Sequence, residues 1–162
     1  MADNWIQKIA FQLYDLSWRI VIPWLRLNHR LAEGFEQRTL KDKLPSADIW
    51  IQAASVAESN LALEIIKTLQ INKAIKILVT SNTRQGFDIL KEKAKSHHNS
   101  DKHKHVSIGY FPFDKPAIIQ KAVADVRPVT MVLLETEIWP GLLYALKRSN
   151  CNILHFNGGY HK

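Results

Sequence analysis

The chain has 162 residues, about one domain by length, with 46% hydrophobic and 23% charged residues, an ordinary globular balance. Six Gly and six Pro exclude a collagenous or low-complexity chain, and a single cysteine, Cys151, excludes an internal disulfide framework. A net charge of +7, from 22 Lys+Arg against 15 Asp+Glu, favours an anionic partner such as a phosphate-bearing ligand or an anionic membrane face. The basic residues are scattered and form no RNP, KH or helix-turn-helix pattern, so nucleic acid is not the expected partner. No run of 18 apolar residues suits a simple transmembrane helix, and no secretory signal pattern is present.

Residues 1–30 read as a separate unit. Trp5, Trp18 and Trp24 lie there with Lys8, Arg19, Arg26 and Arg30, and Ile6, Ile9, Leu13, Leu16 and Ile20 follow helical spacing up to Pro23, which should kink or end the helix. Tryptophans with interspersed arginines suit a membrane-interfacial helix, and an amphipathic helix packed on its own domain has the same pattern. Residues 31–47 are polar, contain Gly34 and Pro45, and read as a short helix and linker.

From residue 48 the pattern alternates. Strands are expected at 49–54, 74–80, 106–111, 129–134 and 152–156, and helices at 58–69, 85–96, 116–126 and 138–148. The almost wholly apolar Val129–Leu134 suits the centre of a parallel sheet, and Pro116 suits a first helical turn. The fold class is therefore α/β, a Rossmann-like parallel sheet with helices on both faces. In such sheets ligands bind beyond the carboxyl ends of the strands, so the strand-to-helix turns are the places to seek function.

After the first expected strand, Ser55-Val56-Ala57-Glu58 is a capping box, and Glu58 also stands where a general base could act. After the second, Thr80, Ser81, Thr83 and Gly86 surround Arg84 in a hydroxyl-rich turn that is either a generic loop or a cradle for an anion. It is neither a P-loop nor a dinucleotide fingerprint. Glu135 and Glu137 follow the most apolar strand, as helix-capping residues or as groups that orient a substrate. His97, His98, His103 and His105 crowd one polar, Lys-rich stretch that reads as a solvated loop rather than a metal site. Cys151 reads as a small core residue.

Together these turns resemble one family. IQAASVAESNLA resembles the "HAVSVGE" string of the Kdo (3-deoxy-D-manno-octulosonic acid) transferases, TSNTRQG their "TTMTPTG", YFPFD their "YLPYD" and LETEIWPGLL their "METELWPNL". EGFEQRT resembles a "GxxxRxG" segment upstream. The resemblance implies the N-terminal, acceptor-side half of a GT-B glycosyltransferase. Residues 1–30 would be a membrane-interfacial anchor, 31–47 a linker with a short helix, and 48–162 the Rossmann-like domain, without the donor-side domain. It implies transfer of Kdo from CMP-Kdo to a lipid A precursor at the cytoplasmic face of a Gram-negative inner membrane, with no cofactor and no metal. Glu58 would be the general base. Ser55, Thr80, Thr83, Arg84, Gly86, Asp114, Glu135, Glu137 and Trp139 would line or brace the cleft. The isolated chain is expected to show no turnover, because nothing in it grips the donor. The alternative is a non-catalytic membrane-associated module of the same fold. The sequence departs from the family strings at Gln52 (His), Ala57 (Gly), Arg84-Gln85 (Pro-Thr), Gly141 (Asn) and Asn157-Gly158-Gly159-Tyr160-His161, where the motif Arg is missing.

Overall fold

A computed structural model describes residues 3–27, 32–97, 103–134 and 138–156. Helix α1 spans Asp3–Leu25 and the one-turn helix α2 Phe35–Arg38. They are followed by β1 (Ile49–Ala53), α3 (Val56–Thr68), β2 (Ile75–Ser81), α4 (Arg84–His97) and β3 (Lys104–Tyr110). Then come α5 (Pro116–Val126), β4 (Thr130–Leu133), α6 (Pro140–Arg148) and β5 (Asn152–His155). All five strands are parallel, in the order β3-β2-β1-β4-β5. This is the α/β architecture expected from the alternation of elements.

Side chains alternate between two cores because successive strand residues point to opposite faces. Trp50, Leu78, Met131 and Leu133 pack with Ile119, Val123 and Val126 of α5 and Leu142 and Leu146 of α6. Ile51, Ile77, Val79 and Val132 pack with Ala62, Leu63 and Ile66 of α3 and Leu90 of α4. Each such side chain contributes about 1.5–3 kcal/mol by leaving water. The stretch expected as a short helix and linker holds α2 and adds Leu40 and Ala47 to the α5/α6 core.

Several boundaries shift for physical reasons. α6 begins at Pro140 rather than 138, because the residue before a proline is driven out of the helical region; Trp139 is extended at φ −103°, ψ 95°. α3 begins at Val56, which puts Ser55 at the cap and Glu58 at its third position. β3 starts two residues early, at Lys104, so His105 belongs to a strand rather than a loop. His98 lies outside the described residues, as does the side chain of His97. α1 continues through Pro23 for two residues, so the proline disturbs only its last turn.

The stripe read as the apolar face of α1 points to solvent. Leu13, Ile20 and Trp24 are 62%, 65% and 72% exposed, and Trp5, Ile9 and Leu16 are exposed with them. The side chain of Ile6 lies outside the described residues. A different face packs on the domain. The Phe11 ring lies 4.5 Å from Tyr144, Trp18 lies 6.1 Å from Phe113, and the Tyr14 hydroxyl donates to Asp114 at 2.8 Å. At the far edge of the sheet all four residues of β5 are exposed, and Leu154 and Phe156 are each 49% exposed.

Candidate active site

The strand order reverses between β1 and β4, and this switch point is where open parallel sheets place ligands. Two turns flank it. One runs from Ala54 to Glu58, and the other, after β4, contains Glu135 and Glu137, which lie outside the described residues. Pairing extends past the strand ends, with Leu134 N–H donating to Gln52 O at 3.1 Å and Asn82 N–H to Ala53 O at 3.2 Å. The turns after β1 and β2 and the end of β4 at Leu134 therefore form one continuous rim.

Glu58 completes the capping box. Its N–H donates to Ser55 Oγ at 3.3 Å, while its Oε2 accepts from Ala54 N–H at 2.5 Å and Ser55 N–H at 3.0 Å. Both amide bonds fall on Oε2, and Oε1 accepts none among the described residues. The helix-capping role is thus realised, and one carboxylate oxygen remains at the switch point, on a half-buried side chain.

Behind this rim runs a buried polar chain. Trp50 Nε1 donates to Thr80 Oγ1 at 2.8 Å, Thr80 Oγ1 donates to Gln52 Oε1 at 2.5 Å, and Gln52 Nε2 donates to Asn82 Oδ1 at 3.1 Å. Thr80 has no exposed surface, so its hydroxyl acts within the sheet, linking β2 to β1, and Gln52 carries the chain on to the turn after β2. Thr83 Oγ1 accepts from Gly86 N–H at 3.1 Å, closing that turn at the start of α4. A Cβ on Gly86 would come 2.7 Å from Ser59 Oγ, so glycine there lets α4 approach α3. Gly86→Ala is expected to lower stability by about 1–3 kcal/mol through this overpacking, read as a lower urea midpoint at unchanged slope. Arg84 is exposed and pairs with Glu33 and with Asp88, the latter at 3.5 Å.

Arg38 is 3% exposed. It donates to Asn82 O at 2.6 Å, Phe111 O at 3.3 Å and Glu33 O at 3.4 Å, and lies over the Tyr110 ring at 4.8 Å. No carboxylate pairs with it among the described residues, and burial pulls its guanidinium below the ordinary range. It thereby ties together the turns after β2 and β3. Sequence reasoning met Arg38 only inside the EGFEQRT string and gave it no role. Nothing in the local pattern marks it as buried.

Asp114 is wholly buried rather than open to a cleft. It accepts from Gly141 N–H at 2.8 Å, Leu142 N–H at 2.7 Å and the Tyr14 hydroxyl at 2.8 Å. Burial pushes its carboxyl up despite these three donors. Burial, followed by the Asp114 bond, pushes Tyr14 up to about 12 from 10.0. A raised folded value means that the neutral phenol's contribution to stability is full below pH 10 and lost as pH rises toward about 12. The phenolate absorbance of Tyr14, isolated as the difference between the wild type and Tyr14→Phe, should therefore appear late in an alkaline titration. Trp139 caps α6 by position and packs on Phe111 at 5.5 Å. Cys151 packs against the α5/α6 core, and burial raises its thiol.

Two cavities, of about 400 and 510 Å³, lie at the opposite edge of the domain, the larger lined by Asp48, Lys76, His105 and Arg127. Neither cavity is lined by any residue of the rim, by Arg38 or by Asp114. No cluster of three metal-ligating side chains occurs among the described residues.

Residues 26–161 match the family model described as 3-deoxy-D-manno-octulosonic-acid transferase (kdotransferase). The chain belongs to this family. A bifunctional glycosyltransferase/methyltransferase of Fusobacterium nucleatum is 31% identical over 155 residues, 96% of this chain and 22% of the relative. A 3-deoxy-D-manno-octulosonic acid transferase of Haemophilus influenzae is 30% identical over 122 residues, 75% of this chain and 27% of the relative. A probable mitochondrial 3-deoxy-D-manno-octulosonic acid transferase of Arabidopsis thaliana is 26% identical over 106 residues, 62% of this chain and 21% of the relative. The chain thus spans about a quarter of the length of these relatives.

Two departures from the family strings acquire a structural account. Ala57, where the string has Gly, is an exposed residue in the first turn of α3, where no unusual backbone freedom is needed. Gln52, where it has His, supplies both an acceptor and a donor to the buried chain beside the rim. Residues 157–161, where the motif Arg is missing, lie outside the described residues.

Proposed function

We propose that this chain is the acceptor-side part of a glycosyltransferase that moves Kdo from CMP-Kdo to a lipid A precursor at an anionic membrane face. The position of Glu58 carries the proposal: a carboxylate at the switch point with Oε2 held by two amides and Oε1 unengaged among the described residues. Glu58 takes the proton from the acceptor hydroxyl, the oxygen forms a bond to the anomeric carbon of Kdo, and the bond to CMP breaks, in one inverting displacement. Ser55 fixes the carboxylate through the capping box. Thr83, Gly86 and Arg84 form the turn that meets an acceptor phosphate, with Arg84 exchanging its surface ion pairs for the anion. Thr80 and Asp114 act from behind the rim, and Glu135, Glu137 and Trp139 line or brace the acceptor side. A donor-side domain holds CMP-Kdo.

The outward stripe of α1 supplies the membrane contact. α1 packs on Phe113, Asp114 and Tyr144, beside the carboxyl ends of the strands, so docking the stripe on a bilayer brings the Glu58 rim to the surface that holds the acceptor. No described helix is long and apolar enough to cross a membrane. The test is transfer by this chain joined to the donor-side domain of the Haemophilus influenzae relative, with CMP-Kdo and a bisphosphorylated lipid A precursor. Turnover that depends on Glu58 supports the proposal. A folded chimera that binds both substrates without turnover sinks it. The complete capping box favours one competing reading, a membrane-associated module in which Glu58 only ends a helix.

A further inference from the structure

The apparent anchor and the acceptor side meet at one buried carboxylate. Asp114 sits just after β3, 100 residues from Tyr14, and its Oδ2 accepts from both the Tyr14 hydroxyl and Gly141 N–H, while Oδ1 accepts from Leu142 N–H. Gly141 and Leu142 are in the first turn of α6, whose free N–H groups need such an acceptor. The side chain of residue 141 has no room: a Cβ on Gly141 would lie 2.6 Å from Asp114 O and 2.9 Å from Oδ1. Asp114 is thus clamped between the helix it caps and the tyrosine that reaches it from α1. Tyr14–Asp114 is the one hydrogen bond joining an α1 side chain to the sheet domain among the described residues; the rest of that face, Phe11 and Trp18, holds by aromatic contact. Trp139 stands at the N-cap of the helix end that Asp114 holds.

We infer that Tyr14 and Asp114 are positioning residues for the acceptor side: a joint through which the seating of α1 sets the first turn of α6. Neither touches the reacting atoms. A carboxylate that accepts a hydrogen bond from a phenol in addition to two amides is held to one rotamer; without the phenol, the same carboxylate caps α6 more loosely and α1 can slide on its aromatic contacts. The role in transfer rests on the function proposed above, whereas the joint itself does not.

The test has two arms. In the first, amide hydrogen exchange at Gly141 and Leu142 is followed in the chain as it stands, in wild type, Tyr14→Phe and, as a control for lost packing, Phe11→Leu. Tyr14→Phe should speed exchange at both amides about tenfold, in line with loss of a bond to a charged group, and Phe11→Leu should not. In the second arm, the chimera should show a several-fold higher KM for the acceptor in Tyr14→Phe, with kcat and the KM for CMP-Kdo within about twofold. Asp114→Asn, which sets an amide donor against an N–H, should exceed Tyr14→Phe in both arms, and Tyr14→Phe keeps the test open if Asp114→Asn does not fold. Unchanged exchange in Tyr14→Phe overturns the joint. Faster exchange with an unchanged acceptor KM overturns its positioning role. No transfer by the wild-type chimera sinks the proposed function and leaves the exchange result to decide the joint.

Discussion

Glu58→Gln in the donor-joined chimera is expected to lower kcat about 10²–10⁴-fold, the range for removal of a general base. Glutamine is the informative replacement because a glutamine at the third helical position also closes a capping box. The amide oxygen can still accept from Ala54 and Ser55, so stability should change by no more than about 0.5 kcal/mol. Glu58→Ala removes base and cap together and should lose about 1 kcal/mol as well. Transfer assays and urea denaturation on the same preparations separate the two roles of the side chain. Equal turnover in wild type and Glu58→Gln would assign Glu58 to capping alone and place the base elsewhere.

Membrane affinity should depend on the outer stripe of α1. Leu13 and Ile20 are 62% and 65% exposed, so Leu13→Glu with Ile20→Glu should leave the fold intact. If both side chains enter the headgroup boundary, each contributes about 1.5–3 kcal/mol, and the double variant should bind anionic vesicles at least about 100-fold more weakly. Lys8 and Arg19 are exposed on the same helix and Arg26 just beyond its end, so wild-type binding should also weaken as salt rises. Vesicle co-sedimentation reads both effects. Unaltered binding by the double variant would remove α1 from the membrane contact.

The βα alternation was legible because each strand carried an apolar run and each helix a turn signal. Ser55 and Glu58 announced their own cap, and Pro140 fixed the start of α6 once the restriction on Trp139 is applied. The faces of α1 were not legible. Ile9, Leu13, Leu16 and Ile20 form the cleaner stripe, yet Phe11, Tyr14 and Trp18 make the contacts, because aromatic rings matched the Phe113 and Tyr144 surface that exists only after folding. The roles of Thr80 and Asp114 were likewise hidden. A threonine or aspartate at a strand end reads as a cleft residue until its partners are known, and those partners, Trp50 and Gln52 for one and Tyr14, Gly141 and Leu142 for the other, are 27 to 100 positions away. Arg38 follows the same rule, with both strand-turn carbonyls it holds over 40 residues distant.

The exposed β5 bears on how the chain behaves at high concentration. One side of this strand pairs with β4, no described strand pairs with its other side, and Leu154 and Phe156 are half-exposed. Such an edge is a template on which another copy can lay its own strand, turning two sheets into one. Residues 152–156 contain no lysine, proline or acidic residue to discourage this. Preparations of the chain alone are therefore expected to associate edge to edge as concentration rises, and Leu154→Lys should reduce that association.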